Sequence, residues 1–388
     1  MKYLDADKDP HAARDLLERI RRTATRPWVI LEVCGGQAHN VLRLGADHDL
    51  PEEVELIHGP GCPVSATPAW FVDRALAMAA RPGTIIAAPG DLLRVPGVLG
   101  RDTLQAAQAR GADVRVVYSP LDVLALARKH PDRRVVGLAV GFETTAPTAA
   151  AAVLEAERLG LLNFALSTSY FRLAPAVEAL LAVPGRRADA VLVSGPSAAV
   201  AGLRPFAPLA EKYGVPVIVI GPEAVDLLDG VARAVGQLEQ GEAALENQYT
   251  RAVRPEGNPH ALASIESVFE PTAAHWHGLG LIPDSGLKLR PRFRRFDASE
   301  DVDNDTAAPV PLAASECRDG DVVAGRLSPP SCPAFGTRCT SAHPLGAAMV
   351  SAEGTCAAFY RFRRPPERLS APSTTPVPVL AETVVPAR

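Results

Sequence analysis

Apolar residues in the first two thirds of the chain come in short runs, each ending in a Gly or Pro loop and followed by a stretch of helical periodicity. WVILEVCGG, EVELIHGPGCP, GTIIAAPGD and DVRVVYSPLD each read as a buried strand running into such a loop. The helix-like stretches AWFVDRALAMAA, TLQAAQARG and LDVLALARKH lie between and after them. Ahead of the series, residues 10–24 read as an opening helix, with Leu16, Leu17 and Ile20 at i, i+1, i+4. Strands alternating with helical patterns of roughly 10–15 residues predict βαβ units and a parallel sheet. A second series begins near Arg134 with RVVGLAVGFETTAP and continues through LNFALSTSY, DAVLVSGPS and VPVIVIGPE. Two α/β lobes are expected, residues 25–125 and 126–245, with the boundary at 125–133. In open parallel sheets ligands gather beyond the carboxyl ends of the strands. The CGG, GPGCP, APGD and GFETT loops all take such positions, so the lobes should face each other across a cleft lined by them.

From residue 246 the pattern loses its regularity. Residues 246–361 are expected to hold connecting segments and a Cys-rich C-terminal domain; its stretch 315–361 is rich in Cys, Gly and Pro, the mark of a small domain organised by a cofactor. Residues 296–312 (FDASEDVDNDTAAPVPL) read as an acidic loop or exposed linker, and 362–388 as a disordered Pro/Ser/Thr-rich tail.

At 388 residues the chain exceeds what one core sustains. Its 47% hydrophobic and 22% charged residues are ordinary for a globular protein. A net charge of -4 gives no reason to expect nucleic acid or an anionic membrane as partner. No apolar run approaches the ~20 residues of a membrane span, and the polar N-terminus lacks a signal-peptide core, so a cytoplasmic location is expected. In that setting six cysteines point to chemistry rather than to disulfide staples.

Cys34 ends a strand, with glycines behind it and His39 five residues on. A thiolate there can bind a metal or attack an electrophile, although a buried, inert Cys is an equally common outcome. Cys62 sits in a second loop of the same type, and the pair shifts the balance toward function. Glu143, Thr144 and Thr145 offer a carboxylate and two hydroxyls near a helix start, where polar ligands bind or a Thr simply caps. Cys317, Cys332, Cys339 and Cys356 are spaced C-x14-C-x6-C-x16-C. Four thiolates so clustered suit zinc or an iron–sulfur centre, and the lack of CxxC knuckles favours the latter. His275 and His277 form no dependable metal motif, and RPRFRRFD (290–297) reads as a solvated surface.

These motifs together resemble one family. EVCGGQAH, GPGCPVSATP, GDLLRVPG, VYSPLDVL, GFETTAPTAA, ENQYTRAV, LIPDSGLKLR and CPAFG-x-x-CT…MVSAEGTCAA follow in the order found in the HypD family of [NiFe]-hydrogenase maturation proteins. The resemblance covers roughly residues 25–361. It implies two Rossmann-like α/β lobes with parallel sheets and a small domain carrying a [4Fe-4S] cluster on Cys317, Cys332, Cys339 and Cys356. It further implies a HypC-type chaperone with which the chain holds the iron that becomes the Fe(CN)2CO centre. A HypE-type partner would donate cyanide. Cys34 would ligate the iron, Cys62 would be a nearby redox thiol, and His39 would do acid/base or orienting work. Glu143, Thr144 and Thr145 would border the cleft.

The chain departs from the family pattern at five positions. Ser65 replaces the second thiol of a CxxC loop, leaving Cys34 and Cys62 as the available redox pair. Asp319 and Ala348 stand where further cysteines are usual, and Tyr170 and Pro196 where histidines are. A metallocentre assembly scaffold with a redox role is therefore the leading expectation. A degenerate paralogue acting as a non-catalytic binding protein is the second, and a Cys34–His39 hydrolase or transferase the third.

Overall fold

The computed structural model describes residues 10–98, 102–301 and 316–363. Residues 302–312 of the acidic linker and 364–388 of the anticipated tail lie outside them. Eleven strands form two sheets among the described residues: β1 (Trp28–Val33), β2 (Val54–His58), β3 (Thr84–Ala88), β4 (Val114–Val116), β5 (Arg134–Gly141), β6 (Phe164–Phe171), β7 (Ala190–Ser194), β8 (Val217–Ile220), β9 (Leu245–Asn247), β10 (Phe269–Trp276) and β11 (Gly280–Leu289). The opening helix spans Pro10–Thr23.

One sheet has the order β2-β1-β7-β8-β9 and is parallel throughout. The other has the order β10-β11-β6-β5-β3-β4 and is mixed, because β11 runs antiparallel to β6 and to β10. The α/β class stands, with one correction: only one of the two sheets is wholly parallel. The hairpin β10–β11 escaped the pattern because its strands carry Pro271, Pro283 and two glycines, and because one face of each is solvated.

The sheets also interleave in sequence. The chain leaves the parallel sheet after β2, builds β3 to β6 of the mixed sheet, returns for β7 to β9, and adds β10 and β11 to the mixed sheet last. Contiguous lobes at 25–125 and 126–245 therefore do not follow the sheets, and the segment from 246 is shared between β10–β11 and the cysteine-bearing part. The physical reason is that a parallel neighbour needs only a crossover connection, and a βαβ string carries no mark of which sheet receives its next strand.

Burial on both faces accounts for the continuous apolar strands. In β1, Leu31 and Val33 join one core with Val191, Val193, Val217 and Val219. Ile30 points into the opposite core with Ile20 and with Leu227 and Val231 of the helix Ala224–Gln240. Phe142, Phe171, Trp276 and Ile282 of the mixed sheet enter the first of these cores, so the two sheets share it. The Trp276 ring lies 4.5 Å from that of Phe171, and its indole N–H donates to Ser285 Oγ at 2.8 Å. No helix among the described residues is long and apolar enough to cross a membrane.

Candidate functional site

Neighbouring strands β2, β1 and β7 bring three chain ends to one edge of the parallel sheet. Cys34 follows β1 in extended conformation and forms the N-cap of the helix Gly35–Leu44. Cys62 holds the same position before the short helix Pro63–Ala66. Ser194 ends β7, and its hydroxyl stands near the Cys34 thiol. The two cysteine loops touch through backbone: a Cβ on Gly61 would come 2.7 Å from Cys34 Cα, so only glycine fits. A Cβ on Gly35 would likewise come 2.7 Å from the Glu353 carbonyl oxygen.

Beneath Cys34 lies a buried carboxylate. One Glu32 oxygen accepts from the Cys34 backbone N–H, and the other is 3.0 Å from His58 Nδ1. Burial raises the Glu32 pKa, and His58 and the Cys34 amide only partly counter it. Neither residue stands out in a search for ligand spacings. The available signal is a lone acid in the apolar run WVILEV and a His ending β2 four residues before Cys62.

The segment Ser351–Cys356 closes the site from the other side. The Ser351 hydroxyl stands near the Cys62 thiol. The Ala352 carbonyl lies 2.8 Å from His39 Nδ1. A carbonyl only accepts, so Nδ1 carries the proton and a neutral His39 presents Nε2 as a base or ligand. Glu353 sits at the rim, where desolvation and then Asp91 raise its pKa while His39 lowers it. Phe359 and Phe362, on the helix Thr355–Phe362, meet the rings of His58 and His39 edge-on at 5.8 and 5.1 Å.

Both thiols are buried and held protonated. Desolvation, then Glu32, pushes Cys34 up to about 12, against the Ser194 and Gln37 hydrogen bonds that favour the thiolate. Cys62 is raised chiefly by burial. Such thiols are poor nucleophiles at neutral pH, and a bound cation would reverse the cost of ionising them. Ser65, three residues beyond Cys62, is buried, and its hydroxyl makes no well-formed hydrogen bond although it stands near the Cys62 thiol.

Glu143 follows β5 of the mixed sheet. Its Oε1 accepts from Leu173 N at 2.8 Å, its buried Oε2 has no partner, and desolvation raises its pKa to about 7. Thr144 and Thr145 are exposed, and Thr145 Oγ1 donates to the Phe142 carbonyl at 3.4 Å. Among the described residues no hydrogen bond or ion pair joins this turn to Cys34 or Cys62. The structure thus gathers Cys34, Cys62 and His39, and places Glu143 apart from them in its polar contacts.

A second centre lies in the C-terminal part. Cys317, Cys332, Cys339 and Cys356 line one narrow pocket with Asp319, Ala334, Phe335, Gly346 and Met349. The CPAFGTRC stretch folds as a tight turn, with Phe335 N donating to Cys332 O at 3.0 Å and Gly336 at φ 69°. Leu345 N donates to Cys339 Sγ at 3.5 Å. Burial, as the largest cause, raises Cys317, Cys339 and Cys356. Among the described residues no three His, Cys, Asp or Glu side chains converge on one point as a single ion would require. The thiols ring a space instead. Of the departures from the family pattern, Asp319 lines this pocket, Ala348 is fully buried, Tyr170 packs edge-on against Phe269 at 5.7 Å, and Pro196 opens the helix Gly195–Ala201.

Comparison with known proteins identifies the family. The HypD family model, described as the "Hydrogenase formation hypA family", matches residues 11–363. The chain is 42% identical over 372 residues to the hydrogenase maturation factor HypD of Rhodobacter capsulatus, covering 93% of this chain and 98% of the relative. It is 41% identical to that of Azotobacter vinelandii, covering 94% and 97%, and 40% identical to that of Escherichia coli strain K12, covering 94% and 99%. A match over nearly the full length of both partners, at this identity, shows that the chain belongs to the HypD family.

Proposed function

We propose that this chain acts in hydrogenase maturation as an assembly scaffold that, with a HypC-type chaperone, holds iron while its Fe(CN)2CO environment is built. The names of its relatives support the role in hydrogenase maturation. The observation that carries the finer reading is that Cys34 and Cys62 cap the ends of neighbouring strands in loops that touch, with His39 on the helix that Cys34 caps, in a site where thiols cannot ionise cheaply without a cation. Iron is the cargo here. Cys34 would bind it as thiolate, its proton leaving as the cation arrives; soft thiolate ligands suit such iron. His39 would orient or exchange protons through Nε2, and Cys62 would be the nearby redox thiol. Glu143, Thr144 and Thr145 are assigned to the wall of the cleft. A HypE-type partner would supply cyanide, and the cytoplasm is the expected location.

The C-terminal pocket fits an iron–sulfur cluster, and we assign a [4Fe-4S] centre to Cys317, Cys332, Cys339 and Cys356. The fit rests on four thiols around one space, burial that makes the Cys317, Cys339 and Cys356 thiolates costly unless a cationic centre is bound, and a Gly346 that leaves no room for a side chain. Such a cluster supplies one-electron chemistry. The residues Ser351–Cys356 would then connect it to the Cys34 site, since the same short segment touches both.

The test is an anaerobic infrared spectrum of the protein purified with its HypC-type partner after co-expression with the cyanide-delivery proteins. Cyanide and carbonyl stretching bands that vanish in Cys34→Ser are the expected result. No bands, beside a positive control from another family member, would favour the second reading, a non-catalytic binding protein. Ser65 is the specific observation behind that reading, because it removes one thiol from the Cys62 loop.

A further inference from the structure

We propose that Asp319 and His277 form a fixed-charge pair that sets the reduction potential of the four-cysteine centre, with Asp319 as the positioning residue that holds the potential down. The proposal rests on the iron–sulfur reading of the pocket. Asp319 is only 6% exposed and lines the pocket beside the thiols. Its Oδ1 lies 2.7 Å from His277 Nε2. His277 does not line the pocket, so the negative member of the pair faces the sulfurs and the positive member stands behind it.

The pair is built in. His277 opens the β10–β11 turn, where its backbone N–H donates to Ala66 O at 2.8 Å. The next residue, Gly278 at φ 79°, packs so closely on the Gly320 backbone that a Cβ would collide with it. The imidazole therefore cannot swing away without lifting the hairpin from the helix Asp319–Val323. Oδ1 and Nε2 meet at 2.7 Å, the length of a charge-assisted hydrogen bond between carboxylate and imidazolium.

The direction of the effect follows from electrostatics. The Asp319 carboxylate lines the pocket with the four thiols, so its charge opposes added negative charge at the sulfurs. An electron entering the centre adds negative charge in the same place. Asp319 therefore favours the oxidised state, and His277 moderates the bias. In a buried site neither charge is strongly screened.

The experiment is a dithionite-based redox titration of the full chain, with its cluster reconstituted anaerobically and followed by electron paramagnetic resonance. Asp319→Asn keeps the shape and removes the charge. At a fixed solution potential its reduced-to-oxidised ratio should rise about tenfold, a positive shift of about 59 mV for one electron. His277→Gln should move the ratio the other way. If Asp319→Asn fails to take up a cluster, His277→Gln alone decides. Ratios within twofold of the unmodified protein in the variants that load would overturn this inference and leave the iron–sulfur reading intact. Failure of the unmodified protein to take up any cluster would overturn that reading, and this inference with it.

Discussion

His58 Nδ1 lies 3.0 Å from Glu32 Oε2, and both residues are almost completely buried directly beneath Cys34. Removing one member of a buried, hydrogen-bonded pair leaves the other's polar atom unsatisfied and costs about 1–3 kcal/mol. His58→Ala should therefore lower unfolding stability by about 2 kcal/mol, read as a shift of the guanidinium midpoint. The double variant Glu32→Leu, His58→Ala should recover part of the loss, because no buried acid is then left without its partner. A double variant weaker than the single would show that packing against Phe359, rather than the pair, governs the site.

Glu143 makes stability depend on pH. Its folded pKa, about 7, lies above the ordinary value of 4.5, so the folded state holds a proton that the unfolded chain has already released. Stability then falls as pH rises from about 4.5 to about 7 and is level above, by roughly 3 kcal/mol in total. Glu143→Gln removes this slope. Comparing denaturation midpoints at pH 5 and pH 8, the unmodified protein should lose more than the variant; equal losses would refute the assignment.

Cys34 should resist alkylation. Raising its pKa from 9.0 to about 12 cuts the thiolate fraction at neutral pH about a thousandfold. Mass-spectrometric mapping after brief iodoacetamide treatment of the iron-free protein should find Cys34 essentially unmodified. Rapid labelling of Cys34 would revive the cysteine-nucleophile reading.

Gly61→Ala tests the contact between the two cysteine loops. The new methyl carbon would lie 2.7 Å from Cys34 Cα, against backbone that has no room to move. Overpacking of this kind costs about 1–3 kcal/mol. The variant should also lose iron retention beyond what its melting temperature explains, because the Cys34 loop is displaced.

The elements themselves were largely readable from the chain. WVILEV, VELIH, TIIAA and VIVI form strands at the places their apolar runs predict, since a strand covered on both faces has little choice but to be apolar. What stayed hidden was partnership. Nothing in β3 says that it will leave β2 for another sheet, and the half-solvated hairpin β10–β11 dilutes its periodicity with Pro and Gly. In RPRFRRFD the arginines suggested a solvated face, and they do sit outside, while Phe293 and Phe296 are fully buried. At the site, Cys34, Cys62 and His39 were legible as motif residues. Glu32, His58, Ser194 and Asp319 were not, because each acts through a neighbour that only the fold supplies.

Only three positions separate Glu353, at the rim of the Cys34 loop, from Cys356, in the C-terminal pocket. That spacing makes the protein indivisible. A chimera that exchanged the cysteine-bearing end between relatives would import half of the other centre's rim, and an insertion of even one residue between Ser351 and Cys356 would throw one centre out of step with the other. Whatever variation the family tolerates should therefore avoid this hexapeptide's length, however freely it changes the loops on either side.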